Sequence, residues 1–128
     1  MRLLEVKDLK TYFTTSKGKA KAVDGVSFSL DYGQCLGLVG ESGCGKTTTA
    51  LSICHLLPKE GKVESGQILM EGIDYGTLSE EEIMKHRWED VSIIFQGAMN
   101  AFNPVKKVGW QIAEACILHQ GMSKEEAW

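Results

Sequence analysis

The chain has 128 residues, of which 43% are hydrophobic and 24% charged, as in a single ordinary globular domain. Its formal net charge of −3 gives no reason to expect nucleic acid as a partner. No apolar run approaches the roughly 20 residues of a membrane-spanning helix, so any membrane association is expected to come through a partner.

Two strands are predicted in the first third of the chain. Residues 2–13 and 23–30 each alternate loosely between apolar and polar side chains, and a polar hairpin loop is predicted between them, at residues 14–19. A turn is predicted at Asp31-Tyr32-Gly33. Residues 35–39 are then a short apolar run, which predicts a buried strand.

Residues 40–47 match the phosphate-binding pattern G-x-x-x-x-G-K-[ST], with the sequence GESGCGKT. Glycines let the backbone N–H groups converge, and a helix predicted over residues 48–57 adds positive charge at its N-terminus. Lys46 would supply a charge to the β- and γ-phosphates, and the Thr47 hydroxyl would ligate Mg²⁺. The pattern therefore predicts a nucleotide-binding loop. The alternative is a glycine-rich turn that only opens a helix.

Two interpretations of Cys44, inside this loop, are open. Its thiolate could be favoured by Lys46 and the helix N-terminus. A variable position that tolerates a small side chain is the simpler interpretation.

Further elements are predicted downstream. Residues 66–72 predict a strand, and a capping box at Ser79 predicts a helix to about residue 87. Residues 91–95 predict a central parallel strand, which would bring Gln96 to the sheet edge where ligands of α/β proteins bind. The alternative is a glutamine that ends a strand by chance.

The last part of the chain predicts one helix and the start of another. Asn103-Pro104 breaks the chain, and apolar residues from Val108 to Cys116 follow at helical spacing. A second capping box at Ser123 opens a helix close to the last residue, which indicates a truncated chain.

Four stretches together resemble the N-terminal portion of the ATP-binding subunit of an ABC transporter. They are AVDGVSF at residues 22–28, GESG at 40–43, IFQ at 94–96, and NPV at 103–105 leading into QIAE at 111–114. In combination the first three are specific to ABC ATPases. The NPV stretch narrows the resemblance to the oligopeptide/dipeptide permease group, which also includes nickel importers.

The resemblance implies an α/β fold, that of a P-loop NTPase (ABC-type) nucleotide-binding domain with an N-terminal antiparallel β layer. The chain would be the N-terminal part of one such domain, truncated before the signature motif and Walker B. Residues 1–100 would form the β layer and the P-loop core. Residues 101–128 would begin the helical subdomain.

The resemblance also implies that the ligands are ATP and Mg²⁺. Lys46 and Gln96 would be catalytic, and Thr47 and Gln96 would contact the metal. Phe13, with Tyr12 as the neighbouring candidate, would stack on adenine; a core aromatic residue at a strand end is the alternative. The remaining expected ATP contacts are Gly40, Ser42, Gly43, Cys44, Gly45, Lys46, Thr47 and Thr48.

The implied function is ATP-driven import of peptides or a related solute, by a peripheral protein at the cytoplasmic face of the cell membrane. Transmembrane permease subunits and a second ATP-binding subunit, identical or paralogous, would be the partners, and nucleic acid would not. A non-catalytic nucleotide-binding module and a soluble, non-transport ABC ATPase are the alternatives, and the NPV stretch argues against the latter.

Some features of the family are not found in this sequence. An LSGGQ-type stretch, a strand ending in Asp-Glu and a switch histidine are missing, so the chain alone is expected to hydrolyse little or no ATP. Gly97-Ala98 stand where the group commonly has Asp-Pro, which predicts a freer backbone after Gln96. Because the downstream strands are lacking, we also expect exposed apolar side chains in residues 35–39 and 91–95.

Overall fold

The computed structural model describes residues 2–97 and 101–128. The chain divides into two compact units, Met1–Ile83 and Met84–Trp128. The elements in chain order are β1 (Arg2–Thr15), β2 (Gly18–Asp31), α1 (Lys46–Ile53), β3 (Gly61–Met70), β4 (Ile73–Asp74), a 3₁₀ turn (Tyr75–Thr77), α2 (Glu80–His86) and α3 (Val108–Gln120).

The first unit is built on an antiparallel sheet with strand order β2-β1-β3-β4. This confirms the predicted antiparallel layer and its first two strands, while the predicted hairpin loop is reduced to Ser16-Lys17 between β1 and β2. The strand predicted at residues 66–72 begins earlier, at Gly61. The buried apolar core of this unit consists of Val6, Leu9, Val23, Ile53, Cys54, Ile68, Met70, Tyr75 and Ile83.

Bulges explain why the apolar alternation of the first two strands is loose. In β1, Asp8 is an extra residue with a left-handed φ of 44°, so buried Val6 and Leu9 are three positions apart. In β2, the register passes from Thr11↔Val23 to Tyr12↔Lys21, which leaves Ala22 as an extra residue. Each bulge bends its strand and increases the local twist.

Helix α1 begins earlier and ends earlier than predicted. It covers Lys46–Ile53 rather than residues 48–57, since His55 takes a left-handed φ of 52° and turns the chain away before Pro58. The buried side chains of this helix are polar Thr49 and Ser52 together with apolar Ile53. Thr11 of β1 and Ser52 of α1 are fully buried, and their hydroxyl oxygens lie 2.8 Å apart.

Both predicted capping boxes form their hydrogen bonds. At the start of α2, the N–H of Ser79 donates to Glu82 at 2.8 Å and the N–H of Glu82 donates to Ser79 Oγ at 3.3 Å. Ser123 and Glu126 repeat this arrangement at 3.0 and 3.3 Å. After Ser123 the chain forms a turn and not the predicted helix, and the preceding helix α3 ends before Gly121, which has a left-handed φ of 64°.

Two segments predicted as strands, residues 35–39 and 91–95, are not strands in the structure. Their apolar side chains are also not buried: Val39 is 96% exposed and Ile94 is 91% exposed. The prediction of buried parallel strands at these positions is therefore wrong for this chain, whereas the expected exposure of their apolar residues is confirmed.

The reason lies in what makes a strand. A parallel strand exists only through a ladder of hydrogen bonds to a neighbouring strand, and among residues 2–97 and 101–128 neither segment forms such a ladder. Val91 makes one isolated bridge, to Arg87. Gln96 therefore lies in an exposed turn rather than at the end of a sheet strand.

Candidate functional site

The phosphate loop enters α1 through two left-handed glycines. Gly43 has φ +82° and Gly45, the residue before the helix, has φ +95°. Residues in this region of backbone space curl successive peptide units into an anion-binding concavity. Glycine adopts a left-handed φ without the strain that other residues incur, so it suits positions 43 and 45.

Gly45 is also required because of a close neighbour. A Cβ atom added there would overlap the carbonyl oxygen of Ala22 and lie 3.5 Å from a methyl group of Val23. The β2 bulge at Ala22 therefore lies directly against the phosphate loop. Gly40 is similarly close to Cys44, whose sulfur would be 2.5 Å from an added Cβ.

The Lys46 ammonium is held within the loop itself. Its Nζ donates to the carbonyl oxygens of Gly40 at 2.7 Å and Glu41 at 2.6 Å, and lies 3.3 Å from the Cys44 sulfur. The lysine therefore contacts the start of the loop, at Gly40 and Glu41, and also Cys44, which lies closer to the helix. An ammonium in this position stabilises the loop and offers charge to an anion that enters it.

The N-terminus of α1 suits a phosphate group. Among the described residues no side chain caps this end, and its first turn consists of Lys46, Thr47, Thr48 and Thr49 without an acidic residue. The first helical hydrogen bond runs from the N–H of Thr49 to Gly45 at 2.8 Å, which leaves the N–H groups of residues 46–48 at the open end. These groups and the helix dipole together favour a bound anion.

The side chains around the loop determine how a magnesium ion could be bound. Within residues 2–97 and 101–128, no group of three or more His, Cys, Asp or Glu side chains could bind a metal ion. Mg²⁺ typically keeps several waters and binds through few protein groups plus substrate phosphates. The exposed side chain of Thr47, beside the helix N-terminus, fits this mode of binding.

The two aromatic candidates for adenine have different neighbours. Phe13 is half-buried with its ring over Gly61, where an added Cβ would lie 2.8 Å from the ring. Tyr12 instead donates its hydroxyl hydrogen to Asp24 at 2.6 Å, and the ammonium of Lys21 lies 5.3 Å from its ring centre. Stacking on adenine by either residue stays a prediction.

Gln96 and the residues after it belong to the second unit. Gln96 is exposed, and Gly97 has a left-handed φ of 76°. Ala98, the second residue of the predicted departure from Asp-Pro, lies outside the described residues. The participation of Gln96 in catalysis and in metal binding stays a prediction.

Sequence reasoning missed two contacts of β2, one with the phosphate loop and one with the neighbouring strand. Ala22 touches Gly45 through its backbone, and Asp24 is bonded to Tyr12 from the neighbouring strand. The signal was present, since both belong to the AVDGVSF stretch. Their role depends on a bulge, however, and alternation alone does not reveal which residue is extra.

Comparisons with known proteins give a consistent picture. A family model described as ABC transporter matches residues 23–126. The chain is 46% identical over 127 residues to the oligopeptide transport ATP-binding protein OppD of Bacillus subtilis (strain 168), covering 98% of this chain and 36% of that protein. It is also 46% identical over 127 residues to the dipeptide transport ATP-binding protein DppD of the same organism, covering 98% of this chain and 38% of that protein.

A third relative is the oligopeptide transport ATP-binding protein OppD of Escherichia coli (strain K12), 44% identical over 126 residues, with 98% of this chain and 37% of that protein covered. The chain thus spans little more than a third of the length of these relatives. A solved structure described as the dimeric structure of MJ0796, a bacterial ABC transporter cassette, matches 97% of this chain and 52% of that chain with a TM-score of 0.77 at 20% identity. Among the described residues, no helix is long and apolar enough to cross a membrane.

Proposed function

Because the chain belongs to the ABC transporter family, we propose that it is part of an ATP-binding subunit that drives the import of peptides through a membrane permease. Oligopeptide and dipeptide transport ATP-binding proteins are its relatives at 44–46% identity, which supports peptides as the solute. The single observation that carries ATP binding is the geometry of the phosphate loop, with left-handed Gly43 and Gly45 leading into the open N-terminus of α1.

Lys46 and the α1 N-terminus bind the triphosphate in this proposal. Phosphoryl transfer depends mainly on positioning and on stabilising the charge of the phosphate oxygens. The ammonium of Lys46, already bonded within the loop, supplies one positive charge, and the N–H groups of residues 46–48 supply partial charges. Thr48 adds a hydroxyl or amide contact to phosphate.

The remaining contacts of the proposal follow the chemistry of the side chains. Mg²⁺, when bound, neutralises charge on the phosphate oxygens. Thr47 and Gln96 are its proposed contacts, and Gln96 also orients the attacking water. Phe13 stacks on the adenine ring, a contact worth about 1–3 kcal/mol for nucleobases on aromatic side chains.

The proposed setting is the cytoplasmic face of the cell membrane. Transmembrane permease subunits and a second ATP-binding subunit are the proposed partners; the dimeric cassette among solved structures of the same fold supports pairing of two such subunits. Hydrolysis and transport are proposed for the intact subunit in its transporter.

Binding of Mg-ATP to the 128-residue chain, measured by isothermal titration calorimetry, tests the proposal. We expect Lys46→Ala to weaken binding by about 2 kcal/mol or more, since a charge-assisted contact to phosphate is lost. In the intact transporter, the same substitution should abolish ATP-driven peptide uptake.

Lys59→Ala is the matched control, because Lys59 is an exposed lysine in the turn before β3. It should leave binding of Mg-ATP unchanged. Equal binding by wild type and Lys46→Ala would refute the assignment of the phosphate loop.

A further inference from the structure

Strand β2 is bulged twice within four residues, at Ala22 and at Gly25. Val23 and Asp24 lie between the two extra residues, and the four form the start of the AVDGVSF stretch. Bulges re-aim the groups of a strand and occur often beside functional sites. This doubly bulged segment, residues 22–25, therefore has the kind of irregular backbone that is often found beside a functional site.

Its first two residues lie against the phosphate loop. The carbonyl oxygen of Ala22 occupies the space that a Cβ of Gly45 would need, and a methyl group of Val23 is within van der Waals range of the same position. Val23 is only 4% exposed, so this contact is buried. The bulge therefore packs directly against Gly45, the last glycine of the loop.

The third residue of the segment, Asp24, makes contacts through its carboxylate. Tyr12 donates to this carboxylate at 2.6 Å, and the ammonium of Lys21 lies 3.3 Å from its other oxygen. The Lys21–Asp24 ion pair spans Ala22 and Val23 within one strand, while Tyr12 ties the same group to β1. We name Tyr12, Lys21 and Asp24 the bulge clamp.

We propose that the bulge clamp holds the Ala22 carbonyl against Gly45 and thereby positions the phosphate loop for nucleotide. The three clamp residues are positioning residues: they act through Ala22 and Gly45 and need not touch the ligand. The inference rests on the proposed function for its consequence in ATP binding, but its structural part concerns the loop alone.

The effect of the clamp is expected to be local. Its side chains are about half exposed, with 59% exposure for Lys21 and 45% for Asp24, and exposed ion pairs contribute little to global stability. Local opening of a bulge, however, is resisted by only a few contacts. Losing the clamp should therefore loosen the phosphate loop without unfolding the sheet.

The test is amide hydrogen exchange of the 128-residue chain without nucleotide, followed by Mg-ATP titration. Two variants remove the clamp in different ways: Tyr12→Phe removes one hydroxyl group and keeps the ring, and Asp24→Asn removes the charge and keeps the shape. We expect each to speed exchange of the N–H groups of Cys44 and Thr49, which donate to the carbonyls of Glu41 and Gly45, about tenfold and to weaken Mg-ATP binding about fivefold. Exchange in the β1–β3 ladder should stay unchanged, which distinguishes positioning from a general loss of structure.

Glu64→Gln is the matched control, because Glu64 forms another ion pair of the same sheet, with Lys19, that includes none of the clamp residues. It should alter neither measurement. If Tyr12→Phe and Asp24→Asn leave exchange of the Cys44 and Thr49 N–H groups at the wild-type rate, the inference is wrong. If exchange rises in the two variants but the wild-type chain does not bind Mg-ATP, the role of the clamp is supported and the proposed function is refuted. Should Asp24→Asn lose the fold, the single-atom change in Tyr12→Phe still decides.

Discussion

The side-chain amide of Gln111 forms two hydrogen bonds with the backbone of Asn103. The N–H of Asn103 donates to Gln111 Oε1 at 2.8 Å, and Gln111 Nε2 donates to the Asn103 carbonyl at 3.1 Å. The same nitrogen donates to the carbonyl of Lys106 at 3.0 Å. Asn103 completes the turn by accepting the N–H of Val105 at 3.1 Å. One side chain of α3 thus fixes the shape of residues 103–106, and the turn presents Val105 at 88% exposure.

Replacing Gln111 with leucine should loosen this turn. Three hydrogen bonds are lost, and since the turn is exposed we expect a cost of about 1–2 kcal/mol in unfolding free energy. Faster exchange of the amide hydrogens of Asn103, Val105 and Lys106 is the direct measurement. Gln120→Leu makes the same chemical change at the exposed end of α3 and should have little effect; equal effects of the two substitutions would contradict this account.

Gly45→Ala should destabilise the chain and prevent Mg-ATP binding. The new methyl group would overlap the carbonyl of Ala22 while a non-glycine residue is forced to φ +95°, a strain of about 1–3 kcal/mol. Chemical denaturation and calorimetric titration measure the two effects. Gly37→Ala is the control, because an added Cβ there meets open space, and it should be nearly neutral.

The buried hydroxyl pair between Thr11 and Ser52 should behave as one unit. Ser52 donates to the carbonyl of Thr48 at 2.7 Å, so Thr11 is the donor in the pair. Thr11→Val should cost about 1 kcal/mol, because a buried acceptor then lacks its donor. Denaturation of Thr11→Val, Ser52→Ala and the double variant forms a complete cycle.

We expect the double variant of that cycle to be less destabilised than the sum of the single variants. Thr14→Val changes an exposed threonine of the same strand and should be almost neutral. Strict additivity of Thr11→Val and Ser52→Ala would mean that the hydroxyl pair contributes nothing.

Asp24 should titrate at an unusually low pH. The hydrogen bond from Tyr12 lowers the pKa of this carboxyl most, followed by the hydrogen bond and charge of Lys21 and the charge of Lys10. A pKa lowered by folding means that the stabilising contribution is present above the ordinary pKa of the group and is lost as the pH falls through the lowered one. Carboxyl NMR titration should show the pKa of Asp24 rising in Tyr12→Phe, and an unchanged value would contradict the clamp.

Phe13→Ala separates adenine stacking from a structural role. If the ring stacks on adenine, the variant should lose about 1–3 kcal/mol of affinity for Mg-ATP and keep its affinity for Mg-tripolyphosphate, which has no base. Phe13→Tyr retains an aromatic ring and should bind nearly as wild type does. Equal losses for both ligands would show that Phe13 supports the fold, through its contact with Gly61.

Local chemistry made much of the fold predictable. The glycine-rich loop that leads into α1, both capping boxes and the first two strands follow from residues close together in sequence, and the ABC-type nucleotide-binding fold is confirmed by the match to a solved cassette. Helix α3 follows from its apolar spacing. In each case the residues that decide the structure are neighbours along the chain.

The wrong or missed predictions concern features that are determined by residues far apart in the sequence. Residues 35–39 have the composition of a buried strand, but the ladder that makes a strand is supplied from elsewhere, and none forms among residues 2–97 and 101–128. The support of Gly45 by Ala22 was missed for the same reason, because it depends on how two strands are registered. The Thr11–Ser52 pair joins positions 41 residues apart.

The position of the Lys46 ammonium also affects the strength of nucleotide binding. Its bonds to the carbonyls of Gly40 and Glu41 must break before the same charge can turn to a phosphate. The two carbonyl groups thus compete with the ligand for the ammonium. The same hydrogen bonds hold the loop in shape before the ligand binds. The affinity for nucleotide is therefore the difference between the contacts that the ammonium gains with phosphate and the two carbonyl contacts that it gives up.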